Sequence, residues 1–198
     1  MTEPSPAPAP PRLAWALTGS GHYIKETLDL MARLAPLDVF LSKAAEEVMR
    51  MYRRRDGNFP PGTRLFRDRA ASAPQIGRFY FGEYHTLVVG PATSNTVAKC
   101  VQGISDTLPT NAFAQAGKCR VPCIVFACDT APEMMTEAPH GMVPVYPRRI
   151  DLENVDRLRG FEATTVVETV PELEAALAMR LGSVRPGSAP VERRLLNV

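Results

Sequence analysis

The chain has 198 residues, with Lys+Arg 23 against Asp+Glu 21 for a formal net charge of +2, 45% hydrophobic and 22% charged residues, and four cysteines. This length suits one domain with a single buried core, and the composition excludes wholesale disorder. The near balance of charge offers no electrostatic case for nucleic-acid binding, and four cysteines are too few for a secreted disulfide scaffold.

The 19 prolines are unevenly spread, five of them within the first 11 residues. Residues 1–11 therefore read as an extended, disordered leader, residues 12–182 as one domain and residues 183–198 as a tail. Neither a basic start nor an apolar run marks a secretory signal. No stretch approaches the roughly 18 consecutive apolar residues of a membrane span. The expectation is a cytoplasmic protein with reduced thiols, no membrane contact and no nucleic-acid partner.

Leu13 to Leu17 is a compact apolar run that ends at Thr18-Gly19-Ser20-Gly21, a buried strand feeding a Gly-rich turn. Ile24, Leu28, Met31 and Leu34 recur at helical spacing. Leu37 to Leu41 is a second strand, and Ser42 stands as N-cap of a helix from Ala44 to Tyr52. Arg53 to Arg69 is basic, is interrupted by Gly57, Pro60, Pro61 and Gly62, and reads as a long loop. Thr86 to Gly90 is a buried strand that stops at Pro91, with helices predicted from about Ser94 to Gly103 and from Asn111 to Gly117. Pro122 to Ala127, Met142 to Tyr146 and Ala163 to Val167 read as strands, and Pro171 opens a last helix through Leu181. Continuous apolar strands alternating with helices imply an α/β fold: a doubly wound parallel sheet in three layers, flavodoxin- or Rossmann-like. Ligands of such sheets lie beyond the carboxyl ends of the strands.

At the first strand end, Gly19 and Gly21 let the main chain approach a ligand, and the helix that follows suits an anion such as phosphate. The turn is neither a P-loop nor the dinucleotide fingerprint, whose third glycine position is Ile24. An ordinary tight turn accounts for it equally well. Ser42 is an N-cap by the plain reading and a hydroxyl for the same anion pocket by the functional one. Thr93, Ser94, Asn95 and Thr96 set four hydrogen-bonding side chains in a row at the third strand end. One suffices to cap a helix; four in succession suggest a bound polar ligand, against the plain reading of a capped helix start.

Thr18-Gly19-Ser20-Gly21, Ser42, and the run from Pro91-Ala92-Thr93-Ser94-Asn95-Thr96-Val97-Ala98-Lys99 to Gly103-Ile104-Ser105-Asp106-Thr107-Leu108 resemble the homo-oligomeric flavin-containing cysteine decarboxylase superfamily. The resemblance spans roughly Leu13 to Leu181. It implies a flavodoxin-like sheet that binds FMN, with the Gly-Ser-Gly turn and Ser42 on the phosphate. Thr93 to Thr96 would contact the phosphate, ribityl chain or ring edge. The cofactor-binding set it implies is Gly19, Ser20, Gly21, His22, Ser42, Thr93, Ser94, Asn95, Thr96, Lys99 and Cys128. It further implies a homotrimer with the flavin near a subunit interface, able to assemble into a larger closed shell.

Two departures disfavour the decarboxylase and flavin prenyltransferase reading. The catalytic His position of the decarboxylases falls at Ile76-Gly77-Arg78, and their P-A-M-N segment reads Phe126-Ala127-Cys128-Asp129-Thr130. Asp106-Thr107-Leu108, Asn111-Ala112, Asp129 and Pro147-Arg148-Arg149-Ile150-Asp151 with Glu153-Asn154 instead resemble archaeal-type dihydromethanopterin reductases and archaeoflavoproteins. That resemblance implies FMN-dependent reduction of 7,8-dihydromethanopterin to tetrahydromethanopterin, with NAD(P)H or an external ferredoxin-type protein as electron donor. An electron-carrying flavoprotein without a dedicated small substrate is the alternative.

Asp129 is a candidate partner for the hydrogen-bonding edge of the pterin, against a plain role as a helix cap. Phe79 to His85 is the densest aromatic run, a surface turn packing on the core or a subunit contact by the plain reading, and a pterin-stacking site, through Tyr84, by the functional one. His22 reads as a proton donor, a phosphate ligand or a surface imidazole. Cys119, Cys123 and Cys128, with Cys100, match no zinc or iron–sulfur spacing and are expected to be buried thiols without metal. The arginines between Arg53 and Arg69 read as a solvated run or as an attractor for an anionic substrate tail or a phosphorylated donor.

Overall fold

A computed structural model of the chain describes residues 9–34, 36–52, 59–70, 72–138 and 140–183. The expected leader up to residue 8, Arg53, Arg54 and Arg55, and the tail from residue 184 lie outside the described residues. Five of the six main strands are those that the apolar runs predict. They are β1 (Arg12–Leu17), β2 (Leu37–Leu41), β4 (Tyr84–Ala92), β5 (Cys123–Ala127) and β8 (Thr164–Val167). The sixth, β3 (Arg64–Arg67), lies in the segment expected to be all loop. The sheet is parallel throughout, in the order β3-β2-β1-β4-β5-β8. Without the short edge strand β3, the order is the 2-1-3-4-5 of a flavodoxin-like sheet.

Strand residues alternate between the two sheet faces, and each face is covered. Trp15, Leu17, Val39, Val88, Ile124 and Phe126 pack beneath α1 (Ile24–Ala32), α2 (Lys43–Met51) and α6 (Val170–Ser183). Ala14, Ala16, Phe40, Leu87, Val89 and Val125 face α3 (Ser94–Gln102), α4 (Leu108–Lys118) and α5 (Arg149–Arg159). The helix α5 was not expected, because only Asn154, Val155 and Leu158 of its later turns face inward among many charges. Met142 to Tyr146 does not join the main sheet. It forms β7 (Gly141–Val145), paired antiparallel with β6 (Met134–Ala138) in a separate hairpin.

β4 also runs past its expected stop, through Pro91 to Ala92, where Ala92 pairs with Ala127. The Trp15 indole N–H, fully buried, donates to the Gly90 carbonyl at 2.8 Å and ties β1 to β4 beside this irregular register. Gly90 cannot carry a side chain there, because a Cβ would lie 2.7 Å from the Phe126 Cβ.

Among the described residues of the basic segment, Arg64 is taken up at the amino end of the sheet and Arg67 beside the start of α2. Asp38, buried in β2, accepts from Arg12 Nε at 2.8 Å, Arg64 Nη2 at 2.5 Å and the Tyr84 hydroxyl at 2.7 Å. Arg64 also reaches Glu83 at 3.1 Å, and Arg67 pairs with Glu46 at 2.8 Å. Burial pushes the Asp38 carboxyl up, but the bonds from Arg64 and Tyr84 and the charge of Arg12 outweigh it and hold it below the ordinary carboxylate value. Burial, then the bond to Asp38, pushes the Tyr84 phenol well above its ordinary value.

Candidate functional site

The switch point of this sheet lies between β1 and β4, and at its carboxyl end a cleft of about 590 Å³ opens. Its lining includes Thr18, Gly19, Ser42, Thr93, Asn95, Thr96 and Lys99 of the strand-end motifs. The loops that carry them are knitted together. The Thr18 hydroxyl donates to the Pro91 carbonyl at 2.5 Å and accepts the Thr93 N–H at 3.2 Å. The Ser42 N–H donates to the Leu17 carbonyl at 3.2 Å.

Three helices start at this cleft, so their positive ends converge on it. Ser42 caps α2 by accepting the Ala45 N–H at 3.0 Å. Thr93 caps α3 by accepting the Thr96 N–H at 3.2 Å, and Thr107 caps α4 by accepting the Thr110 N–H at 3.4 Å. Two of the starts are also met by a carboxylate of the protein itself. Asp129 accepts the Ser94 N–H at 3.2 Å and the Ser94 hydroxyl. Asp68 accepts the Leu108 N–H at 3.1 Å. The start of α2 has no such carboxylate among the described residues. Gly19 sits directly on it, with room for no side chain: a Cβ would lie 2.6 Å from the Ala44 Cβ.

Behind the turn, Ser20 and Cys128 are buried together. The Cys128 thiol donates to Ser20 Oγ at 3.2 Å, and Ser20 Oγ donates to the His22 carbonyl at 3.2 Å. Gly21 packs against Tyr52, whose hydroxyl would lie 2.1 Å from a Cβ there. That hydroxyl donates to the Glu137 carbonyl at 2.9 Å and so pins the β6–β7 hairpin to the end of α2. Burial lowers the His22 pKa from 6.5, against the opposing pull of Asp129, Glu26 and Glu137, and its buried Nε2 has no partner among the described residues.

The sequence-based set thus divides. Gly19, Ser42, Thr93, Asn95, Thr96 and Lys99 line the cleft. Ser20, Gly21, His22 and Cys128 brace the turn from behind, and Ser94 is held by Asp129. The Lys99 ammonium, expected to face a cofactor, is held by both Asp106 oxygens at 2.8 and 2.7 Å. Tyr84, expected as a substrate contact, is not brought to the cleft. It is buried at the opposite end of β4 on Asp38, because its place as first residue of that strand puts it at the amino edge of the sheet. Cys100, Cys123 and Cys128 are buried free thiols whose pKa burial pushes up to about 12. No metal-ligating cluster occurs among the described residues.

Arg69, one of the arginines weighed as an attractor for an anion, also lines the cleft, as do Lys43 and Asp68, which the motif reading did not single out. Lys43 hides behind the cap at Ser42, while Asp68 sits in a segment whose charge resembles any solvated loop.

Among the described residues no helix is long and apolar enough to cross a membrane. The chain is 35% identical over 144 residues to dihydromethanopterin reductase (acceptor) of Methanosarcina mazei and 38% identical over 131 residues to that of Methanocaldococcus jannaschii. These matches cover 66% and 60% of this chain, and 60% and 53% of the two relatives. Among solved structures, Burkholderia xenovorans DmrB in complex with FMN, described as a cubic protein cage for redox transfer, is 51% identical. It superposes with a TM-score of 0.78 over 87% of this chain and 96% of that one. Residues 2–188 match the model of the Flavoprotein family. With the six-stranded parallel sheet and the cleft at its switch point, this match covers nearly the whole chain, which belongs to the Flavoprotein family.

Proposed function

We propose that the protein is an FMN-dependent oxidoreductase that reduces a dihydropterin, with 7,8-dihydromethanopterin giving tetrahydromethanopterin as the reaction. The observation that carries this reading is the cleft at the switch point, in a chain 51% identical to an FMN-bound protein of redox transfer. The match to two dihydromethanopterin reductases supplies the substrate class.

The residues present suit FMN. An open helix start at α2, with Ser42 and a turn that Gly19 keeps free of a side chain, suits a phosphate. Thr18, Thr93, Asn95 and Thr96 offer hydroxyl and amide groups for a polyol chain. The volume of about 590 Å³ is ample for a mononucleotide. Bound FMN would supply two-electron redox chemistry that the side chains here lack.

The chain's own residues would then position and orient. Ser20, Cys128 and the His22 carbonyl hold the shape of the turn. Asp129, already bonded to Ser94, locks the β5 loop to α3 and offers its second oxygen to a hydrogen-bonding pterin edge. His22, kept neutral by burial, adds no charge beside it. We infer a homo-oligomer, which the cage described for DmrB supports, and with it the trimer able to build a larger shell that the family resemblance implies. A cytoplasmic site of action fits reduced, buried thiols.

Anaerobic turnover tests the reading. The FMN-loaded full chain is supplied with NADH, NADPH or reduced ferredoxin, then with 7,8-dihydromethanopterin. Formation of tetrahydromethanopterin with at least one donor is expected. Reduction of the flavin by a donor without any pterin product would replace the reductase by an electron carrier.

A further inference from the structure

Four of the chain's eight methionines belong to the β6–β7 hairpin and the end of α2 to which it is pinned. Met135 and Met142 are 52% and 57% exposed on the hairpin, and Met51, next to Tyr52, is 61% exposed. Met134 differs. It is partly buried at the base of the hairpin, opposite Val145, and its Sδ accepts the Thr130 N–H at 3.3 Å. A hairpin of two strands is marginal on its own in water, so the bonds that seat it matter. Among them are the Tyr52 hydroxyl on the Glu137 carbonyl and this thioether on Thr130. Thr130 directly follows Asp129, whose carboxylate holds the Ser94 N–H at the start of α3. The charges of Asp129 and Glu137 both act on His22, so the hairpin, the Asp129 loop and the turn after β1 share one corner of the molecule.

We propose that Met134 is a modification site: hydrogen peroxide converts its thioether to the sulfoxide, and this unseats the Asp129 loop. A sulfur lone pair attacks one peroxide oxygen, the O–O bond breaks, and the sulfoxide and water form. The sulfur is oxidised by two electrons and the peroxide is reduced by two. An oxygen added toward Thr130 has no room within a 3.3 Å contact, and one added on the other side leaves an electron-poor sulfur facing an N–H. Either way the bond is lost, and a polar group replaces an apolar one opposite Val145. Peroxide arises where dioxygen takes two electrons and two protons from a reduced flavin, so the consequence for pterin turnover rests on the FMN reading. Met51, Met135 and Met142 are more exposed and take up peroxide first, without that consequence. Met134 would thus slow pterin reduction under oxygen once the outer thioethers are spent.

The test treats the full chain, flavin-free and FMN-loaded, with hydrogen peroxide and maps sulfoxides by mass spectrometry. Met51, Met135 and Met142 are expected to react before Met134. Amide hydrogen exchange at Thr130 should then quicken by about 2- to 10-fold in step with the Met134 sulfoxide, as for loss of one neutral hydrogen bond. In the loaded chain the pterin KM should rise to a similar degree while FMN content holds, and methionine sulfoxide reductase should restore it. Met134→Leu starts without the bond, so its Thr130 exchange and KM should be raised from the outset and unmoved by peroxide. Repeated reduction and aeration of the loaded chain should give the same order of sulfoxides. Failure of Met134 to react in the folded chain, unchanged Thr130 exchange once it is oxidised, or a KM that still rises with peroxide in Met134→Leu would overturn the proposal and leave the FMN reading standing. Faster Thr130 exchange in a chain that binds no FMN or reduces no pterin would instead remove that reading and leave the modification site.

Discussion

Replacing Gly19 by alanine puts the close approach of the turn to α2 under direct strain. The added methyl carbon would lie 2.6 Å from the Ala44 Cβ, and 3.3 and 3.4 Å from the Ala44 carbonyl carbon and Cα. Carbon atoms pack comfortably at roughly 3.5–4.0 Å, so the turn and α2 must part by about 1 Å. No side-chain rotation relieves this, because both carbons are fixed directly to backbone. Overpacking of this kind costs about 1–3 kcal/mol, which lowers Tm by roughly 2–12 °C in a chain of this size. The fold should survive the loss, since domains carry about 5–15 kcal/mol of stability. The displaced segment is the start of α2, so FMN affinity should fall about tenfold or more as the charge-assisted bonds lengthen. Gly117→Ala is the control: its Cβ meets nothing within 4 Å, and it lies in α4. It should raise stability by about 0.5–1 kcal/mol and leave FMN binding alone. A thermal melt and a flavin titration on each variant decide the matter. A Gly19→Ala protein that melts and binds FMN like the natural one would refute the close-packed turn.

Other residues give further tests. Asp38→Asn should cost about 3 kcal/mol, the low end for breaking a buried ion pair, because Arg12 and Arg64 stay partly exposed to water. The Asp38 carboxyl is held below its ordinary value, so its stabilisation is present above the ordinary carboxylate range and is lost as pH falls through the lowered value; the variant's melting curve should show a weaker acid dependence. Asp129→Ala leaves the Ser94 N–H without its acceptor and should lower Tm, while raising the pterin KM more than it lowers FMN content. An unchanged KM would remove Asp129 from the pterin site. Cys100, Cys123 and Cys128, with thiols pushed up to about 12, should resist a thiol reagent at pH 8 until the chain is unfolded. Fast labelling of any of them in the folded protein would contradict their burial.

The positions of five strands of the main sheet were legible because a strand covered on both faces must be apolar throughout, as Trp15, Val88 and Ile124 require. β3 was not, because Leu65 and Phe66 are flanked by Arg64 and Arg67, and only the structure reveals the carboxylates that claim those charges. The hairpin was half legible: β7 reads as a strand, but nothing local in Met142 to Val145 says that its partner is β6 rather than the main sheet. In the site, runs of capping side chains announced the starts of α2 and α3. Tyr84 misled because an aromatic run shows no sheet edge until the register of β1 with β4 is known. Lys43 and Asp68 stayed hidden because only the fold brings them to the cleft, Asp68 by seating on the start of a helix 40 residues further along the chain.

Pterin reduction through bound FMN is tested most simply by a single turnover without oxygen. The full chain is loaded with FMN, reduced stoichiometrically, freed of donor and mixed with 7,8-dihydromethanopterin. Complete reoxidation of the flavin is expected, with one tetrahydromethanopterin formed per flavin. A flavin that stays reduced in the presence of excess pterin would contradict it.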